Sequence, residues 1–102
     1  MEIIKKYFNL DKGLNIKASG KIDIETAVEY GTTVKDLLDD IEELVLDFSE
    51  ITYVSSIGLR VILELHQQMV SQEGQMRLIN VQEPVLHIFK MTGFDKFLNI
   101  VK

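Results

Sequence analysis

The chain has 102 residues, 46% of them hydrophobic and 26% charged, with a formal net charge of −5 and no cysteine. That length and mix predict one globular domain over residues 1–102 with a real core, and they exclude disulfides, thiol chemistry and thiolate metal sites. The acidic balance, with Lys and Arg scattered rather than gathered, argues against direct contact with nucleic acid or an anionic membrane, where neutralised phosphates carry the affinity.

No apolar run reaches the roughly 18 residues that suggest a membrane-spanning helix. The start, Met1-Glu2-Ile3-Ile4-Lys5-Lys6, lacks the basic-then-apolar order of a signal peptide. We therefore expect a cytoplasmic location without membrane insertion.

Residues 2–9 alternate loosely, with Ile4, Tyr7 and Phe8 apolar and Lys5 and Lys6 polar. They predict an edge strand, where lysines discourage unwanted pairing. Asp11-Lys12-Gly13 reads as a turn, so the next strand returns antiparallel. In that strand Leu14, Ile16 and Ala18 alternate with Asn15, Lys17 and Ser19, which gives one buried face.

Asp23 is placed as the N-cap of a first helix, with Glu25 near its positive end. Ala27, Gly31, Val34, Leu38 and Ile41 form its apolar stripe, with Tyr30 and Leu37 on the margin. Asp39, Asp40, Glu42 and Glu43 then fall at the helix's C-terminal end, the unfavourable end for acids. Solvated surface explains such a cluster.

Leu44, Val45 and Leu46 read as a short strand covered on both faces. A polar loop follows, and it ends in Ser55 and Ser56. From Gly58 the period changes: Gly58, Val61, Ile62, Leu65 and Met69 share one face of a helix. Ser55 or Ser56 is its N-cap, able to accept from the first free N–H groups. Gly58 costs the helix up to about 1 kcal/mol against Ala, and close approach of the helix to the sheet is the expected return. Ile57, Arg60, Glu64 and Gln67 lie on the opposite face.

This helix runs to about Ser71, with Gly74 as its C-terminal cap. Met76, Leu78 and Ile79 form the next strand. Glu83-Pro84 opens a third helix with Val85, Ile88, Phe89 and Thr92 inward, and Gly93 closes it. Phe94 to Val101 covers the end of the core as a strand or a last helix. The order predicts an α/β domain. Its mixed sheet has four to five strands, joined by right-handed crossovers, and three to four helices pack mainly on one face.

Catalytic signatures are missing. There is no Gly-x-Ser-x-Gly elbow, no phosphate-binding glycine pattern, and His66 and His87 lack a metal-ligand spacing. Asp23 and Asp47 as a pair can suggest Mg²⁺, but a cap and a turn residue explain them as well. No metal, no cofactor and no enzymatic activity are expected.

The central residues resemble a family. Asp47-Phe48-Ser49, followed by Tyr53-Val54-Ser55-Ser56-Ile57-Gly58-Leu59-Arg60-Val61-Ile62-Leu63, is similar to the signature of bacterial anti-sigma-factor antagonists of the STAS domain family. Gly20-Lys21-Ile22-Asp23-Ile24-Glu25-Thr26-Ala27 resembles that family's second strand, acidic turn and first helix. The resemblance covers essentially the whole chain.

It implies a serine phosphorylated by a partner kinase. Alignment on Gly58-Leu59 puts that serine at Ser56. The preceding position, often Asp in the antagonists, is Ser55, which is the alternative acceptor. The implied role is an anti-sigma factor antagonist. Unphosphorylated, it binds an anti-sigma factor that is also a serine kinase and so frees the sigma factor. Phosphorylation releases it and a serine phosphatase resets it. Asp23, Ser55, Ser56, Ile57 and Arg60 are the expected partner face, on a monomer or weak dimer. Two other classes stay open. One is a STAS scaffold or accessory subunit of a sensor complex or membrane transporter, without a phosphorylation switch. The other is a small-ligand or nucleotide binder using the helix N-terminus and Asp23.

Overall fold

A computed structural model describes residues 1–101. Strands β1 (Ile3–Phe8) and β2 (Gly13–Ile22) pair antiparallel, as the alternation implies. The turn between them is not made by its glycine. Asn9, Leu10 and Asp11 all adopt left-handed conformations, with φ of 58°, 56° and 64°. Gly13 already belongs to β2, where its missing Cβ leaves room for the Phe8 ring.

Helix α1 (Ile24–Lys35) follows, then β3 (Glu43–Val54), α2 (Ser56–Ser71), β4 (Gln75–Ile79) and α3 (Glu83–Thr92). A single tight turn at Phe94–Lys96 leads into β5 (Asn99–Ile100), so the final segment is both a helical turn and a strand. The sheet order is β1-β2-β3-β4-β5, and every neighbouring pair after the first is parallel. Right-handed crossovers that always step in the same direction put all the helices on one face. One core cluster results: Leu14, Ile16, Leu44, Leu46 and Leu78 from the sheet meet Tyr30 and Val34 of α1, Ile62 and Leu65 of α2, and Val85 and Phe89 of α3. Burial pushes the Tyr30 phenol's pKa up.

The opposite face of the sheet carries no helix among the described residues, and Val45 is buried there outside the main cluster. Alternation along the strands puts Val45 on the same face as the Glu43–Arg77 ion pair. The strand expected to be covered on both faces thus has helices on one side only.

Three boundaries differ from the sequence expectation, each for a physical reason. Helix α1 stops at Lys35, not beyond Ile41. Leu38 and Ile41 are fully or nearly buried, but from the connection that follows. Asp39, Asp40 and Glu42 therefore lie in that connection, and the clash of acids with a helix C-terminus does not arise. Strand β3 continues through the expected polar loop to Val54. Its register against β2 slips between Lys17 and Ser19 and again between Gly20 and Lys21. Inward positions therefore step from Phe48 to Ile51 to Val54 instead of alternating.

Finally, the left-handed residue that ends α2 is Glu73, with φ 59°, not Gly74. The Glu73 N–H donates to the Val70 carbonyl at 3.0 Å and the Gly74 N–H to that of Met69 at 2.8 Å, a Schellman closure. Gly74 is required because a Cβ there would lie 2.8 Å from the Glu42 carbonyl oxygen.

Candidate docking site at two paired helix N-termini

Strands β2 and β3 end level, with Ile22 opposite Val54. The next residue of each chain segment is a helix cap: Asp23 for α1 and Ser55 for α2. The Ser55 N–H donates to the Ile22 carbonyl at 2.8 Å, which ties the second cap to the end of the first strand. Gly58 lets α2 come down onto these strand ends. A Cβ there would sit 2.8 Å from the Ile22 carbonyl oxygen and 2.9 Å from a Val54 methyl. The expected close approach of helix to sheet is what the glycine serves.

Asp23 accepts the N–H groups of Glu25 and Thr26, both at 3.0 Å. In return the Thr26 hydroxyl accepts the Asp23 N–H at 2.9 Å, which completes a capping box. The Thr26 N–H is the main reason the Asp23 carboxyl's pKa lies below its ordinary value; slight desolvation opposes it.

Ser55 Oγ accepts the Gly58 N–H at 3.1 Å and the Ser55 carbonyl accepts the Leu59 N–H at 2.8 Å. Ser55 is half-buried. Ser56 opens α2, is exposed, and its hydroxyl has no partner among the described residues. Ile57 is 38% exposed, and Arg60 stands exposed one turn beyond Ser56.

The five residues expected at this face thus fall in two groups. Asp23 and Ser55 line one cleft of about 330 Å³ with Ile24, Glu25 and Tyr53. Ser56, Ile57 and Arg60 extend from it along the exposed start of α2.

Sequence reasoning missed three residues here. Ile24, Val28 and Tyr53 are 69%, 65% and 45% exposed, large apolar side chains around the two helix starts. The apolar stripe expected from the sequence begins at Ala27 and assigns Ile24 to no face. Tyr53 lies in the extension of β3 that was expected to be loop. The available signal was the Ile24–Val28 spacing of four, which marks one flank of α1. That flank borders a groove of about 200 Å³ between α1 and α2, lined by Val28, Gly31, Lys35, Val61 and Glu64 among others. Lys35 Nζ donates to Glu64 at 2.6 Å and bridges the two helices.

Asp47 does not join this site. It accepts the Ser49 N–H at 2.9 Å and the Asn80 amide at 3.3 Å. Burial raises its pKa, but these bonds and the charge of Lys17 outweigh that, and the net shift is downward. Asp47 and Asp23 therefore act as separate hydrogen-bond acceptors for the backbone. No group of three or more His, Cys, Asp and Glu is placed to hold a metal among the described residues. No described helix is long and apolar enough to cross a membrane.

The arrangement is that of a small one-sided α/β domain that presents two helix N-termini, and the apolar side chains around them, at one end of its sheet. The chain belongs to the STAS domain family, whose profile matches residues 7–102. It is 22% identical over 90 residues to the anti-sigma-B factor antagonist of Bacillus subtilis, covering 88% of this chain and 83% of that protein. Its fold is similar to that of SpoIIAA, an anti-sigma factor antagonist, in the unphosphorylated form. That match has a TM-score of 0.83 at 13% identity and covers 99% of this chain and 89% of SpoIIAA. The phosphorylated form of Bacillus SpoIIAA matches with a TM-score of 0.75 at 12% identity, covering 99% and 92%.

Proposed function

We propose that the chain is an anti-sigma factor antagonist switched by phosphorylation of Ser56. Unmodified, its docking face engages an anti-sigma factor that is also a serine kinase, and the sigma factor is released. The kinase then moves the γ-phosphoryl group of ATP to Ser56 Oγ, the hydroxyl proton leaves to a base on the kinase, and ADP is the other product. A phosphatase hydrolyses the ester and resets the switch. The domain acts by binding; the chemistry belongs to its partners.

The observation that carries the reading is the contrast between the two serines. Ser56 is exposed with a free hydroxyl, whereas Ser55 is held by the Gly58 N–H. The relationship to a named antagonist supports the partner class, and a protein of this fold known in both unphosphorylated and phosphorylated forms supports a switch that the fold survives. The physics agrees. A phosphate brings roughly −1.5 to −2 charges, and a helix N-terminus tolerates an anion. Release then comes from desolvating that charge against the partner. A hundredfold loss of affinity needs about 2.8 kcal/mol, a modest demand on a buried dianion. Ile24, Val28, Tyr53 and Ile57 supply the apolar anchors of the contact, with Asp23 and Arg60 at its rim.

Intact mass and site mapping after incubation with ATP and the organism's anti-sigma kinase test this. The expected result is one phosphate on Ser56, lost in Ser56→Ala, with weaker kinase binding by the modified form. Modification at Ser55 instead would move the acceptor. Binding without modification would leave a constitutive antagonist. Neither, with an active kinase, would turn the assignment to a STAS scaffold or accessory subunit.

A further inference from the structure

Arg60 lies four residues after Ser56 on the exposed start of α2. Side chains at that spacing are neighbours on a helix, and an anion placed N-terminal to a cation is the favourable order. The acid that would normally occupy Arg60, one turn further on, is Glu64. That carboxylate is taken by Lys35 of α1 at 2.6 Å. Arg60 makes no ion pair among the described residues. The cleft beside Ser55 is lined at the start of α1 by Asp23 and Glu25, both anionic, so among the described residues that lining offers a phosphate no cation of its own. The unmodified domain thus carries an unpaired guanidinium one turn from an unpaired serine hydroxyl.

We propose that Arg60 is the internal counter-ion of a phosphate on Ser56: the guanidinium folds back one helical turn onto the phosphate and is thereby withdrawn from the partner-facing surface. The inference rests on the reading that Ser56 is the modified residue. It adds a second component to release. Phosphorylation introduces an anion at the interface and also removes a cation from it. A guanidinium suits this better than an ammonium, because its planar fork can give a phosphate two parallel hydrogen bonds. The pairing also holds the phosphate close to the first N–H groups of α2, where the helix dipole favours it.

The test uses the full chain with phosphoserine installed at position 56 during translation, so it needs no kinase. The second ionisation of the phosphate is followed by ³¹P NMR. In free phosphoserine it falls near pH 6, and a cation paired with the dianion lowers it. Arg60→Gln is expected to raise the midpoint by about 0.3 unit or more, with Arg60→Lys recovering part of the shift. Lys21→Gln, which removes the nearest cation by sequence on the β2 side, is expected to change it less. In the parent, the Arg60 Nε–Hε resonance should move on phosphorylation and stay put in unmodified protein over the same pH range. An unchanged midpoint in Arg60→Gln overturns the proposal, as does a larger shift in Lys21→Gln. Failure of any kinase to modify Ser56 strikes the functional reading instead, and is read in a separate assay.

Discussion

Ser55 Oγ accepts the Gly58 N–H, while the neighbouring Ser56 projects from the first turn of α2 into solvent. Removing the first hydroxyl leaves a helix N–H without its cap. Ser55→Ala should therefore cost about 1 kcal/mol, within a range of about 0.5–2, read as a lower urea midpoint at unchanged slope. Ser56→Ala removes nothing the fold uses and should stay within about 0.5 kcal/mol of the parent. On the proposed function, the two variants should separate in the opposite sense: Ser55→Ala keeps the phosphate acceptor and Ser56→Ala loses it. Equal destabilisation by both would mean that the capping assignment is wrong. Asp47 shows the same logic at a residue that belongs to the family signature. Its carboxylate accepts the Ser49 N–H and the Asn80 side-chain amide, and so fixes the backbone of β3 there and ties it to the end of β4.

Gly58 couples three elements, because α2 can rest on the ends of β2 and β3 only without a side chain there. A methyl group at 58 meets the Ile22 carbonyl, part of the strand backbone, which cannot rotate away. Gly58→Ala should cost about 1–3 kcal/mol despite its better helix propensity, and it should shift the amide resonances of Asp23 and Ser55. Gly31→Ala is the useful contrast. Its methyl would meet only a Val61 side chain at 3.0 Å. The propensity gain of up to about 1 kcal/mol then offsets most of the crowding, so thermal unfolding should change little.

At this scale the sequence was legible wherever local chemistry and period agree. The Asp23 cap, a serine cap at the start of α2, and Pro84 and Gly93 at the ends of α3 are all of this kind. It misled where the period outran the element. Leu38 and Ile41 keep a helical spacing after α1 has ended, and the bulged register of β3 disguises a strand as a loop. The same bulge hid Tyr53 from the site, while Asp23 and Ser55 stood out because capping requires their side chains, and Ser56 because it adjoins that cap. The exposed apolar side chains around the two helix starts were hard to read because exposure is a tertiary property.

The whole molecule keeps its helices on one face and its paired helix starts at one end, so binding and stability can be perturbed separately. Ile24 and Val28 are mostly exposed and lie outside the core cluster. Ile24→Ser and Val28→Ser should stay within about 0.5 kcal/mol in stability. On the proposed function, each should weaken binding to the anti-sigma kinase about tenfold or more, as truncated anchors do, which calorimetry would measure.

Acid should act on stability itself, through the carboxyls whose native pKa is depressed. Asp23 and Asp47 both ionise below the ordinary carboxylate value in the folded chain. The unfolded chain then takes up protons first as pH falls. The stabilisation from these groups is complete above the unfolded value, and is lost as pH drops through that value toward the native ones. Asp23→Asn separates this linkage from the cap, since Asn caps a helix about as well as Asp. Urea midpoints measured from pH 7 to pH 2 should fall steeply for the parent at the acid end and less steeply for Asp23→Asn. The gap between the two proteins should be widest near neutrality and close at low pH. A gap that widens on acidification would reverse the sign of the Asp23 contribution, and with it the view that the Thr26 and Glu25 N–H groups hold an ionised carboxylate at the head of α1.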